Sequence, residues 1–174
     1  MKKLLLIVLC FPLLTLAQQT YVPDDTFEAY LEANGMGNGV ANDDYVTTAN
    51  ISGVTYLAVT GQINVIGQNI ADLTGLEDFT ALIELRCNDL LLPNLDVSNN
   101  TALTYLTCNN NRLTSLDVSN NTALTELWCY DNQLTSLDLS NNTALTVLSC
   151  NNNRLTSLDV SNNTALTDLW CYDN

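Results

Sequence analysis

Cysteine recurs at Cys87, Cys108, Cys129, Cys150 and Cys171, at a constant interval of 21. The residues between them recur with the same period. A fixed period of roughly 20–50 residues marks a solenoid or array, whose units cannot bury their apolar sides alone. Stacking buries a continuous core, and each coil touches only its neighbours.

One unit spans residues 103–123, and the others begin at Leu82, Leu124, Leu145 and Leu166. Leu106 and Cys108 alternate with Tyr105, Thr107 and Asn109, the period-two pattern of a short strand with one buried face. Leu113, Leu116 and Val118 then fill the core from the returning side. Asn111 closes the strand, as do Asn132, Asn153 and Asn174. A buried amide there can satisfy backbone groups of the turn and of the neighbouring coil. The first unit has Leu90 at this position, which predicts a less regular turn. The pattern L-x-x-L-x-C-x-x-N-x-L resembles the leucine-rich-repeat signature, with Cys at the third core position.

Five repeat cysteines are an odd number for disulfides. Their side chains are expected to point together into the core as free thiols, where cysteine behaves as a small hydrophobe. A straight ladder does not converge on a tetrahedral zinc, and the chain has no histidine.

Residues 1–17 read as a secretory leader: Lys2 and Lys3, an apolar run to Leu16, and a small residue at Ala17. The run is too short to span a membrane. Cys10 is not read as a lipoprotein site, because Leu9 is too large and the apolar run continues past it. No later segment is long and apolar enough to be a membrane span.

Without the leader, 19 acidic residues face three arginines, Arg86, Arg112 and Arg154, a net charge of −16. Neither lysine nor histidine remains. This excludes Ser-His-Asp and Cys-His nucleophiles, a P-loop lysine, a Schiff base and histidine-based metal catalysis. The acidic balance also argues against nucleic acid. Carboxylates repeated on every coil read as solvated surface rather than as a catalytic pair. No cofactor is expected.

Residues 24–32 predict a short helix capped by Asp24 or Asp25, with Phe27, Tyr30 and Leu31 on one face and Gly35 as its stop. Asn42, Asp43 and Asp44 do not meet the EF-hand spacing for calcium. A degenerate coil then follows, carried by Val54, Leu57, Val59, Ile70, Leu73, Leu76 and Phe79, with roughly six extra residues at 63–68 placed in a loop. The expected division is a leader at 1–17, a cap at 18–53 and repeats at 54–174, with a degenerate coil at 54–81 and regular coils from 82. The last unit stops at Asn174 inside a strand and turn, which reads as a cut array.

The N-terminal residues Val22-Pro23-Asp24-Asp25-Thr26-Phe27-Glu28 carry a family resemblance, with Ile51-Ser52-Gly53-Val54-Thr55-Tyr56-Leu57, residues 70–79 and the L-x-x-L-x-C units. The chain resembles bacterial exported leucine-rich-repeat proteins, internalin-like and nearest those of Bacteroidota (flavobacterial) type. The resemblance implies an α/β repeat: a leucine-rich-repeat solenoid of 21-residue coils with a short helical N-terminal cap. It also implies a secreted or cell-surface binding module for adhesion or partner recognition, not an enzyme.

The outward strand positions are the candidate ligand face, expected to be concave. They read Glu84/Arg86/Asn88, Tyr105/Thr107/Asn109, Glu126/Trp128/Tyr130, Val147/Ser149/Asn151 and Asp168/Trp170/Tyr172. Alternate coils match, so the duplicated unit is a pair of coils. Trp128 and Trp170 are then expected roughly 10 Å apart, two strands along. Arg112 and Arg154 are expected to border the same surface. Exposed Trp and Tyr beside Arg are the residue types that dominate binding hot spots. Tyr105, Arg112, Glu126, Trp128, Tyr130, Arg154, Asp168, Trp170 and Tyr172 are therefore the candidate ligand-binding residues. The expected partner is a protein. The alternatives are a glycan stacked on the Trp/Tyr stripe, and a structural spacer with no ligand.

A second ladder runs Asp96, Asp117, Asp138, Asp159. Neighbouring carboxylates at coil spacing repel by about 0.8 kcal/mol in water. Each is expected to accept backbone hydrogen bonds within its turn. Calcium bridging along the ladder is the alternative.

Overall fold

The structure is a computed structural model that describes residues 17–60 and 69–174. The leader at 1–17, apart from Ala17, and the insertion at 63–68 lie outside the described residues.

The short alternating stretches become three-residue strands stacked in parallel. Strand β3 (Tyr56–Ala58) pairs with β4 (Glu84–Arg86), and β5 (Tyr105–Thr107), β6 (Glu126–Trp128), β7 (Val147–Ser149) and β8 (Asp168–Trp170) follow in order. The register is a plain ladder: Leu57, Leu85, Leu106, Leu127, Leu148 and Leu169 are successive partners. From β4 onward every step keeps the cysteine period. Between β3 and β4 the register pairs Tyr56 with Glu84, a step of 28, so the first coil carries seven extra residues rather than six.

Packing follows the repeat. Leu85, Leu106, Leu127 and Leu148 are fully buried, as are Cys87, Cys108, Cys129 and Cys150. Leu92, Val97, Leu113, Val118, Leu134 and Leu139 close the core from the returning side. In the coil that holds β8, Leu169 is 40% exposed and Cys171 is exposed. The expectation that all five repeat thiols are buried therefore holds for four. The described cysteines are all free thiols.

The strand-closing asparagines act as the pattern predicts. The Asn132 side-chain amide donates to the carbonyls of Cys108 (3.0 Å) and Cys129 (3.1 Å), and its Oδ1 accepts from Leu113 N (3.0 Å). Asn111, Asn153 and Asn174 repeat this bridge. A second ladder, Asn100, Asn121, Asn142 and Asn163, lines the opposite turn. The Asn142 amide donates to Val118 O (3.0 Å) and Asn121 O (2.9 Å) of the preceding coil. The Oδ1 atoms of these four residues are buried without a partner among the described residues.

Each regular coil leaves its strand through one residue in the left-handed region: Asn110, Asp131, Asn152 and Asp173, with φ of 52–54°. Asn and Asp tolerate this conformation better than other residues with a side chain. The coil with Leu90 has two such residues, Asp89 (φ 63°) and Leu91 (φ 64°), so its turn is less regular, as expected.

The cap contains helix α1 (Asp25–Ala33) and a second, one-turn helix α2 (Thr48–Ile51). It also has an antiparallel pair, β1 (Gln19–Tyr21) with β2 (Tyr45–Thr47), where the sequence predicts only a lead-in. Three residues are too few to show a period, and the pairing depends on a partner more than twenty positions away. Asp24 caps α1: its Oδ1 accepts from Thr26 N and Phe27 N, and its Oδ2 accepts from Ala71 N and Asp72 N of the first coil. Gly75 (φ 104°) seats β1 on that coil; a Cβ there would meet Val22 Cγ2 at 2.8 Å.

Candidate binding face

The outward positions of β4–β8 form one face, and two-coil periodicity shapes it. Odd coils carry the large side chains, namely Arg86, then Trp128 with Tyr130, then Trp170 with Tyr172. Even coils carry Thr107 with Asn109 and Ser149 with Asn151, all buried. The even coils become floors and the odd coils become walls.

Two depressions result. The first, about 310 Å³, has Thr107 and Tyr105 of β5 between Arg86 on one side and Trp128 and Tyr130 on the other, and Asp89 also lines it. The second, about 230 Å³, has Ser149 and Asn151 between Trp128/Tyr130 and Trp170/Tyr172. The two tryptophan rings do not keep the two-strand separation expected of them. Their centroids lie 5.5 Å apart with planes inclined by 25°. The backbones are two strands apart, but Ser149 between them is small, so both indoles lean over it and stack.

Arg86 is not among the candidate residues, yet it is the cation of this face. Its Nε donates to Glu84 Oε1 at 2.6 Å, and its guanidinium lies 5.1 Å from the Tyr105 ring centroid. Position 86 stands two coils before position 128, so the alternate-coil alignment that singles out Trp128 also marks Arg86. Arg112 and Arg154 are exposed but line neither depression. The left-handed residue and the Asn before each one turn the chain off the sheet.

Carboxylates rim the face on both sides. Glu84, Glu126 and Asp168 begin the odd strands; Asp89, Asp131 and Asp173 follow them at the left-handed positions. Glu126 Oε2 accepts from Trp128 Nε1 at 3.3 Å, and Asp168 Oδ2 accepts from Thr167 Oγ1 at 2.9 Å. Asp89 Oδ2 accepts from Asn88 and Asp131 Oδ1 from Asn152, both at 2.7 Å. The Tyr130 hydroxyl has a raised pKa, first from burial and then from the charges of Asp131 and Asp89.

The Asp96–Asp159 ladder is turn chemistry. Each Oδ1 accepts from the Ser N two positions on, at 2.9 Å. Hydrogen bonds from the hydroxyl and backbone N–H of Ser98 and Ser119, and from the backbone N–H and hydroxyl of Ser140 and Ser161, hold all four carboxyls below the ordinary aspartate value. Elsewhere, Asp25, Glu28 and Asp44 bring carboxylate oxygens within 4.8 Å of one another. Glu28 is buried and already accepts from Asp43 N and Asp44 N, so it ties the cap loop to α1. The core thiols are inert: burial pushes Cys87 up to about 12 and Cys150 up to about 11.

The fold is a leucine-rich-repeat solenoid with a short helical and β cap. Residues 101–142 match the family model for Leucine Rich repeats, in two copies. An internalin from Listeria monocytogenes superposes with a TM-score of 0.61 at 25% identity, over 74% of this chain and 44% of that one. A leucine-rich-repeat protein of Leptospira interrogans gives 0.56 at 22% identity, over 70% of this chain and 38% of that one. The chain thus spans under half the length of either. No curated protein matches it. No helix among the described residues is long and apolar enough to cross a membrane.

Proposed function

We propose that the chain is a non-catalytic binding module acting outside the cell, secreted or at the cell surface, and that its strand face recognises a protein partner. The observation that carries this is the run of solvent-reaching aromatics, Tyr105, Trp128, Tyr130, Trp170 and Tyr172, held on a single parallel sheet. Rigid amphipathic rings lose little conformational freedom on binding and concentrate binding energy. The likeness to an internalin fold supports a recognition role. The leader-like N-terminus supports export.

The glycan alternative is a sugar stacked on the outer faces of the Trp/Tyr stripe, not one sandwiched between its indoles. A sugar ring between two indoles needs about 3.5–4.0 Å on each face, or about 7–8 Å in all. The indoles stand 5.5 Å apart.

The test is capture of labelled cell-surface proteins by the immobilised chain, compared with Trp128→Ala/Trp170→Ala. Truncating two anchors is expected to weaken retention by roughly thirtyfold or more with an unchanged circular dichroism spectrum. Undiminished retention would support a spacer or another face.

A further inference from the structure

Resting on the protein-recognition reading above, we infer that the strand face takes a basic partner: an extended polypeptide segment bearing arginine or lysine, its cations seated on the aromatic walls between two rims of carboxylate. The face shows the chemistry in its own first coil. Arg86 lies over Tyr105 and is held by Glu84. Two and four coils on, the same acid position is filled by Glu126 and Asp168, and the arginine position by Trp128 and Trp170. Strands β6 and β8 keep the carboxylate and carry an aromatic ring where β4 has its guanidinium. A partner's guanidinium or ammonium completes them.

Charge favours this occupant over others. Six carboxylates border the face, three along each edge, against one arginine that is already paired. Among the described residues Arg86–Glu84 is the one ion pair, so Arg112 and Arg154 of the later coils neutralise none of the rim carboxylates by a direct pair. Asp89 and Asp131 each use one oxygen on an asparagine amide, and the other oxygen has no hydrogen bond among the described residues. An acidic partner would meet repulsion along both rims, and a neutral one would leave these carboxylates desolvated and unpaired. An aromatic face flanked by carboxylate is the combination that holds cations through both the ring quadrupole and Coulomb attraction.

Both tryptophans of the chain lie on this face, so their emission reports on it alone. The experiment titrates the protein with hexa-arginine, with the uncharged isostere hexa-citrulline and with hexa-glutamate. A saturable change with hexa-arginine alone is expected. A strongly acidic protein attracts any polycation, so two variants of equal charge are compared. Asp89→Asn/Asp131→Asn removes rim carboxylates at positions where the even coils already carry Asn110 and Asn152 with the same backbone. Asp138→Asn/Asp159→Asn removes two carboxylates from the serine turns. The rim pair is expected to weaken hexa-arginine by roughly tenfold and the turn pair by less than about twofold. Equal weakening by both pairs, or no binding of hexa-arginine, would overturn the inference. Binding of hexa-citrulline or hexa-glutamate as tight as hexa-arginine would also overturn it, while leaving protein recognition by this face standing.

Discussion

At the scale of single residues, the molecule depends on asparagines that the repeat places where backbone would otherwise be orphaned. The Asn111 ladder is legible because one residue type recurs at the end of every regular strand. The Asn100–Asn163 ladder is not, because Ser-Asn-Asn reads as an ordinary exposed turn. Only packing shows that both Asn residues reach back to the preceding coil, the first to an exposed Ser carbonyl and the second to buried carbonyls. Asn142→Leu should remove one of the two hydrogen bonds that each of the Val118 and Asn121 carbonyls accepts, costing about 1–2 kcal/mol in urea denaturation. A smaller loss would mean that the ladder is not structural. The turn aspartates set the acid limit. Their folded pKa values lie below the ordinary 3.8, so their stabilisation is present above that value and lost as pH falls through the folded values. Glu28 has the opposite sign. Burial raises it above 4.5, so its contribution is present below that value and lost as pH rises through the folded pKa. Asp117→Asn/Asp138→Asn/Asp159→Asn should flatten the loss of melting temperature below pH 3.8 and lower the melting temperature at neutral pH, because Asn Oδ1 accepts the same Ser N–H without the carboxylate's charge.

At the scale of elements, the coil is readable from sequence and its cap only in part. Helix α1 and its cap residue follow from Asp24 and the apolar face Phe27/Tyr30/Leu31, but β1, β2 and α2 are too short to show a period. The indole stack is hidden for another reason. Backbone spacing is set by the sheet, whereas ring spacing is set by the size of Ser149 between the two rings. The Asp24 carboxylate joins two elements, accepting two N–H groups of α1 and two from the first coil. Asp24→Ala should therefore cost more than the roughly 1 kcal/mol of a helix cap alone. Asp24→Asn should recover part of the loss. A loss no larger than an ordinary cap would show that the bonds to Ala71 and Asp72 contribute nothing.

At the scale of the whole molecule, the core is a continuous ladder of thiols and leucines. Four repeat cysteines are buried and Cys171 is exposed. Alkylation of the native protein should leave Cys87, Cys108, Cys129 and Cys150 unmodified, with these four reacting only after unfolding. Rapid labelling of any of the four would contradict the stacking. What such a solenoid recognises is less legible than its shape. The repeat encodes the coil, while the ligand face depends on the few positions where copies differ, and on which neighbours those positions meet.

The central claim is that the strand face, not the turns, does the recognising. The two indole N–H resonances, from Trp128 and Trp170, and the amides of Asn88, Asn109 and Asn151 sit on that face; the amides of Ser98, Ser119, Ser140 and Ser161 sit in the aspartate turns. Chemical-shift mapping during a titration with hexa-arginine should move the first set and leave the second in place. Shifts centred on the serine turns, with both indoles unmoved, would contradict it.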